Sequence, residues 1–69
     1  MDELLQQANC NLGMCLVKAN EWETARVNFN EASKGKNAKV KAKAFYWLAK
    51  YYLRVAKSEE AVKAIRNIS

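Results

Sequence analysis

Histidine and proline are absent from this 69-residue chain, and glycine and cysteine occur only twice each. Histidine is the usual general base and a frequent metal ligand, and the chain has no Gly-rich phosphate loop or paired carboxylates on facing elements to take its place. We therefore predict that the protein is not an enzyme, holds no metal ion and uses no cofactor. Without helix-breaking proline, and with 51% hydrophobic residues, the composition favours a folded helical domain over a disordered segment.

Cysteine usage and hydropathy limit the class of protein further. Cys10 and Cys15 are five residues apart on one predicted helix, which points them about 140° apart around its axis and disfavours a disulfide bond. Both are expected to be reduced and partly buried. No apolar run approaches the length of a signal-peptide core or a membrane span. We therefore expect an intracellular, cytoplasmic protein with no membrane partner.

Four helices are predicted, over residues 2–18, 21–34, 38–56 and from 58 onward. Asn20 tolerates positive φ and is expected to end the first helix in a tight turn. Only a short connection around Gly35 separates the second and third helices, so their fusion into one long helix stays open. Capping side chains are expected at three helix starts: Asp2, Asn37 and Ser58.

The apolar residues of the first helix recur at steps of three and four residues. Leu5, Leu12 and Leu16 share one stripe, which is typical of a helix that faces a core. On the second helix, Trp22 and Phe29 share a face with two alanines. We expect these two faces to contribute to one core.

One spacing pattern occurs twice along the chain, with an offset of 36 residues. A period in the mid-thirties, with a small residue in each half, is typical of stacked helix–turn–helix repeats. The small residues let facing helices approach, and the large ones fill the space between hairpins. The pattern predicts an all-α domain of two stacked hairpins, over 2–35 and 38–69; an ordinary four-helix bundle is the alternative. The matched positions are Leu12 with Leu48, Gly13 with Ala49, Leu16 with Tyr52, Ala25 with Ala61, Phe29 with Ile65, and Ala32 with Ile68.

With Asn9 and Phe45 as the preceding positions, this pattern resembles the tetratricopeptide repeat (TPR): aromatic-x2-Leu-Gly-x2-Tyr, then Ala-x3-Phe and a closing Pro. The likeness covers nearly all of the chain. It departs where Asn9 replaces the aromatic residue, where Asn37 replaces the proline and where Ile68 replaces a small residue. The offset of 36 exceeds the usual 34 by two residues, which lie in the lysine-rich connection over 34–41.

The resemblance implies an α-solenoid fragment with a right-handed twist, whose concave groove is lined by the first helix of each repeat. It also implies an adaptor or scaffold that binds a peptide or helix of another protein. The lysines and arginine of the groove would hold carboxylates, the aromatic rings would supply apolar contact, and Asn11 would bond the peptide backbone. The groove residues carried over by position are Gln7, Asn11, Met14, Lys18, Lys43, Tyr46, Trp47, Lys50 and Arg54.

The basic charge of the chain favours the same partner chemistry. Its formal net charge is +5, and Lys39, Lys43, Lys50 and Arg54 fall within about 60° of one another around the third helix. Such a stripe beside two aromatic residues predicts binding of an acidic or amphipathic protein segment. Two alternatives stay open: a merely solvated helix face, and RNA binding through the lysines and the neighbouring rings.

Two repeats are fewer than the three that such arrays usually need to bury their faces. Three explanations stay open: a segment of a longer array, a self-associating protein that forms a homo-oligomer, and a marginally stable monomer. Self-association is expected either by end-to-end stacking or by exchange of hairpins through a straightened connection over 33–41.

Overall fold

A computed structural model describes residues 2–68 of the chain, and this part contains four α-helices and no strand. The predicted all-α fold is therefore confirmed. The second and third helices are separate, so the long fused helix does not form. No helix in the described part is long and apolar enough to cross a membrane. The helices are α1 (Glu3–Lys18), α2 (Trp22–Ala32), α3 (Ala38–Arg54) and α4 (Ser58–Arg66).

The four helices pack as two hairpins, α1 with α2 and α3 with α4. The hairpins meet mainly where α2 packs on α3, and α1 also touches α3. Within residues 2–68, no Cα atom of α2 lies within 8 Å of a Cα atom of α4. The first helices of the two hairpins therefore approach on one side of the molecule, while their second helices diverge on the other.

Small residues bring the two helices of the first hairpin together, as predicted. Gly13 is buried, and a Cβ atom there would lie 2.7 Å from the Cε1 atom of Phe29. Ala25 and Phe29 have no exposed surface. In the second hairpin the equivalent small residues, Ala49 and Ala61, are also buried. The close approach at each position leaves no room for a larger side chain without displacement of its neighbours.

The turn inside each hairpin has the same hydrogen-bonding pattern. Asn20 takes φ = 61°, as predicted, and the N–H of Glu21 donates to the carbonyl of Leu16 at 2.8 Å. This bond, from the second residue after the helix C-cap to a carbonyl in the last turn of the helix, defines a Schellman motif. It recurs 36 residues later at the same distance, around Ala56 at φ = 60°. The repeat thus extends to the backbone of the turns.

Two of the three predicted caps are present. Asp2 accepts a hydrogen bond from the N–H of Leu4 at 2.7 Å, and Asn37 accepts one from the N–H of Val40 at 3.1 Å. Ser58, in contrast, is the first residue of α4 rather than its cap, and no side chain in the described part of the chain caps that helix. The Schellman turn leads directly into α4, and this turn leaves no residue in the extended conformation that a serine cap requires.

The connection between the hairpins is held by Gln6, whose side chain is fully buried. Its Nε2 atom donates to the carbonyls of Ala32 at 2.9 Å and Asn37 at 3.2 Å, and its Oε1 atom accepts from the N–H of Asn37 at 3.0 Å. Gly35 packs directly on this side chain, because a Cβ atom there would lie 2.1 Å from the Gln6 amide carbon. Gly35 is therefore needed for close packing and not for positive φ, which it does not adopt.

Several apolar residues predicted to face the core are instead exposed. Leu5 and Leu12 on α1, and Ile65 on α4, each show more than a third of their surface to solvent. These residues lie on the outer faces of the two hairpins, where no neighbouring hairpin covers them. The cysteines also differ from each other, since Cys10 is buried and Cys15 is exposed, and both are free thiols.

Candidate partner-binding groove

The predicted basic stripe lies along one exposed face of α3. Lys39, Lys43, Lys50 and Arg54 are all exposed. Ion pairs among residues 2–68 join Glu23 to Arg26 and Glu31 to Lys34, and none involves a residue of the stripe. The stripe is therefore a row of solvated positive charges that no carboxylate of the described chain neutralises.

Trp47 is the centre of an aromatic cluster beside the stripe. It stacks on the buried Phe29, with ring centroids 5.9 Å apart and planes 6° from parallel. Tyr46 meets it edge-on at 5.6 Å, and Trp22 lies 6.3 Å away at a tilt of 49°. Because Phe29 has no exposed surface, the stack fixes the half-buried Trp47 ring on the core. The cluster thus presents rings in fixed positions at the surface.

The cations of the stripe lie over these rings. The Lys50 ammonium is 4.9 Å from the Tyr46 ring centroid and 5.0 Å from that of Trp47. The Arg54 guanidinium carbon is 4.5 Å from the Trp22 ring centroid. Cation–π contacts at such distances contribute about 0.5–1 kcal/mol at exposed sites. They hold two long side chains in place before any partner binds.

A groove of about 290 Å³ lies where α1 approaches the first turns of α3. Amide side chains and two lysines dominate its walls, so it offers hydrogen-bond donors, acceptors and positive charge together. The groove is lined by Gln7, Cys10, Asn11, Asn37, Lys39, Val40 and Lys43.

Cys10 forms the apolar side of this groove. Burial raises the pKa of its thiol, and the nearby positive charge of Lys43 opposes that shift in part. A raised pKa keeps the thiol protonated at neutral pH, and a protonated thiol is a weak nucleophile. Cys10 therefore acts here as a small packing residue.

The predicted site residues fall into two groups along α3, one where it meets α1 and one where it meets α2. Asn11 and Lys43 line the groove. Tyr46, Trp47, Lys50 and Arg54 belong to the aromatic cluster or cover its rings. Met14 is half-buried and packs on the core, so its contribution is mainly structural.

Trp22 is a component of this surface that sequence reasoning did not identify as a site residue. It was expected on the core-facing side of α2, yet its half-buried ring contacts Trp47 and supports Arg54. No spacing along the sequence relates Trp22 to α3. Trp22 is the first residue of α2 and closely follows the turn at Asn20. This position is the one signal in the sequence that could have placed it near the end of α3.

No protein-family model, no curated protein and no solved structure matches this chain. The likeness to the tetratricopeptide repeat therefore stays a prediction from the spacing of the residues.

Proposed function

We propose that the protein is an interaction module, a TPR-like adaptor or scaffold, that binds an acidic or amphipathic segment of a partner protein along α3, from its groove with α1 to the aromatic cluster where it meets α2. The observation that carries the proposal is the row of unneutralised cations beside rings held by the core. A partner segment with carboxylates on one side and apolar residues on the other would satisfy both features. The two free cysteines favour an intracellular, cytoplasmic setting.

Each part of the surface has a role in this proposal. Lys43, Lys50 and Arg54 hold carboxylates of the partner, and Tyr46, which is 48% exposed, supplies apolar contact. Asn11, in the groove beside Lys43, hydrogen bonds to the backbone of the bound segment. Aromatic and arginine side chains are the residue types that dominate binding hot spots.

The cation–π contacts favour this arrangement energetically. Lys50 has three N–H donors, and its ammonium contacts two rings, so at least one donor is not directed at a ring. A carboxylate can therefore bind Lys50 while the ammonium stays over Tyr46 and Trp47. Since the cation is already positioned, binding loses less side-chain entropy than it would with a free lysine.

RNA is the second candidate ligand, because cations interleaved with exposed rings also suit phosphates and stacked bases. The two candidates differ in their response to salt. Binding to RNA phosphates weakens steeply as salt rises, whereas a peptide held partly by aromatic contact shows a shallower dependence.

The test is affinity capture with the chain as bait, from a lysate divided into nuclease-treated and untreated halves. The variant Lys50→Glu with Arg54→Glu is compared with Lys36→Glu plus Lys57→Glu, which makes the same change in net charge at exposed residues outside the stripe. We expect specific proteins to be retained after nuclease treatment, lost with the stripe variant and kept with the control. Retention that disappears with nuclease would instead establish an RNA-binding protein, and equal loss with both variants would reduce the effect to net charge.

A further inference from the structure

Equivalent positions of the two hairpins differ in burial: on α1 they are exposed, and on α3 they are covered. Leu12 is 51% exposed, whereas its equivalent Leu48 is 3% exposed. Leu4, at 76% exposure, corresponds to Val40, which packs on the core. The difference arises because the first hairpin covers α3, while no part of residues 2–68 covers the corresponding face of α1. We call Leu4, Ala8 and Leu12 the head face.

The opposite end of the molecule shows the converse relation. Phe29 has no exposed surface, whereas its equivalent Ile65 is 52% exposed. Ala32 is fully buried, and its equivalent Ile68 is 39% exposed. Here the second hairpin covers the α2 residues, and nothing in the described chain covers those of α4. We call Val62, Ile65 and Ile68 the tail face.

The interface between the two hairpins shows what fits these faces. Inside the chain, the tail side of hairpin one packs on the head side of hairpin two. Five of the six face positions are apolar in both hairpins at an offset of 36, the exception being Val62, which corresponds to Arg26. The turn geometry at Asn20 recurs at Ala56. A second copy of the chain, advanced by the same step, would place its head face on the tail face of the first. We propose that the protein self-associates head to tail through these two faces.

The charges at the two ends support this orientation. α1 has Asp2 as its N-terminal cap and Glu3 in its first turn, and the last turn of α4 carries Lys63 and Arg66. Within the chain, the end of α2 lies beside the start of α3 because five residues, 33–37, connect them. The same step between copies brings the acidic start of α1 next to the basic end of α4. Opposite charges at this position favour head-to-tail contact over head-to-head or tail-to-tail contact, which would bring like charges together.

Head-to-tail contact uses two different surfaces and therefore leaves one of each free on every dimer. Such heterologous association continues to trimers and longer assemblies unless the rotation closes a ring. Exchange of hairpins, in contrast, would produce a closed dimer. Neither face includes a residue of the basic stripe, so self-association is independent of the proposed binding function.

The test is sedimentation velocity of the 69-residue chain, from about 5 to 500 µM, with Leu12→Glu as the head variant and Ile65→Glu as the tail variant. We expect the mass of the unmodified chain to rise above the monomer value of 7.9 kDa with concentration. Each variant alone stays monomeric. An equimolar mixture of the two forms a dimer, because each variant retains the face that the other has lost.

Two further variants serve as control and replacement. Val27→Glu introduces the same charge at a residue that is 51% exposed on α2, a helix that contributes no residue to either end face, and should leave association unchanged. Leu4→Glu replaces Leu12→Glu if circular dichroism shows that the latter has lost helicity. A monomer at every concentration overturns the proposal. A mixture that stays monomeric while the unmodified chain associates, or variants that still dimerise alone, overturns the head-to-tail arrangement.

Discussion

Replacement of Gln6 by methionine is expected to destabilise the protein by about 3 kcal/mol, chiefly through lost hydrogen bonds. The two side chains are similar in length, so little packing volume is lost. Gln6 is fully buried and makes three hydrogen bonds to the main chain of the connection, two as donor and one as acceptor. The magnitude depends on which hydrogen bonds each of those main-chain groups retains in the variant.

The two carbonyls keep one donor each after the change. The carbonyl of Ala32 still accepts from the N–H of Gly35 at 3.2 Å, and that of Asn37 from the N–H of Lys41 at 2.9 Å. Losing the second bond at each costs about 0.5–1 kcal/mol. The N–H of Asn37, however, loses its acceptor, and because this group is only partly buried, the lost partner costs about 1–2 kcal/mol. Together these losses amount to about 2–4 kcal/mol.

For a chain of this size, the central value of about 3 kcal/mol corresponds to a fall in Tm of about 12–24 °C. The assay is thermal unfolding followed by circular dichroism, supported by urea unfolding followed by tryptophan fluorescence. Gln7→Met is the matched control, because Gln7 is the exposed neighbour, and it should change stability by less than about 0.5 kcal/mol. A Tm for Gln6→Met within about 3 °C of the unmodified chain would refute the reasoning.

A charged replacement gives a second test of the same geometry. In Gln6→Glu the carboxylate cannot donate to the carbonyls of Ala32 and Asn37, so this variant should be less stable than Gln6→Met at pH 7. Protonation restores one donor, and the surroundings raise the folded pKa of the new carboxyl. Its stability relative to Gln6→Met should therefore rise as the pH falls. A difference between the two variants that does not depend on pH would contradict the assigned donors and acceptors.

Two other residues give predictions of opposite sign. Ala56→Gly should stabilise the protein by about 1 kcal/mol in urea unfolding, because glycine adopts positive φ without a steric penalty. The control Ala8→Gly, inside α1, should destabilise the protein by a similar amount. If both variants were destabilised equally, the turn at Ala56 would not be strained. Tyr51→Phe should cost about 1 kcal/mol at pH 7, because it removes the hydrogen bond from the Tyr51 hydroxyl to the Glu23 carboxylate. That hydrogen bond, with burial, raises the folded pKa of Tyr51 above its ordinary value of 10.0, so the difference between unmodified chain and variant should be constant from pH 7 to 9 and shrink above pH 10. A difference that grows with alkaline pH would contradict this sign.

The number of helices and the first turn could be predicted because they depend on local chemistry. Asn20 tolerates positive φ, and the chain does end α1 there. The equivalent turn at Ala56 is not indicated by residue type, since alanine avoids positive φ, and the predicted third helix therefore runs two residues beyond its end at Arg54. Only the offset of 36 residues from Asn20 points to it.

Burial could be predicted less well, because it depends on distant parts of the chain. The partners of Gln6 lie 26 and 31 residues away, and a glutamine on a helix is more often exposed. Leu12 fits a core stripe by spacing, yet spacing does not reveal whether a neighbouring hairpin covers it. The basic stripe on α3 was predictable from helix geometry alone. The position of Arg54 over Trp22 was not, because it depends on how α2 packs against α3.

The hydrogen bonds of the buried Gln6 side chain have a mechanical consequence for any assembly of copies. Within one chain the three hydrogen bonds from Gln6 fix the connection and hence the angle between the hairpins. The equivalent residue of the second hairpin is Ala42, which has no amide group to hold the next hairpin of the assembly. A joint between copies would therefore bend and twist more easily than the joint inside each copy. A filament of this protein would consist of rigid pairs of hairpins linked by compliant hinges, with its flexibility concentrated at every second joint.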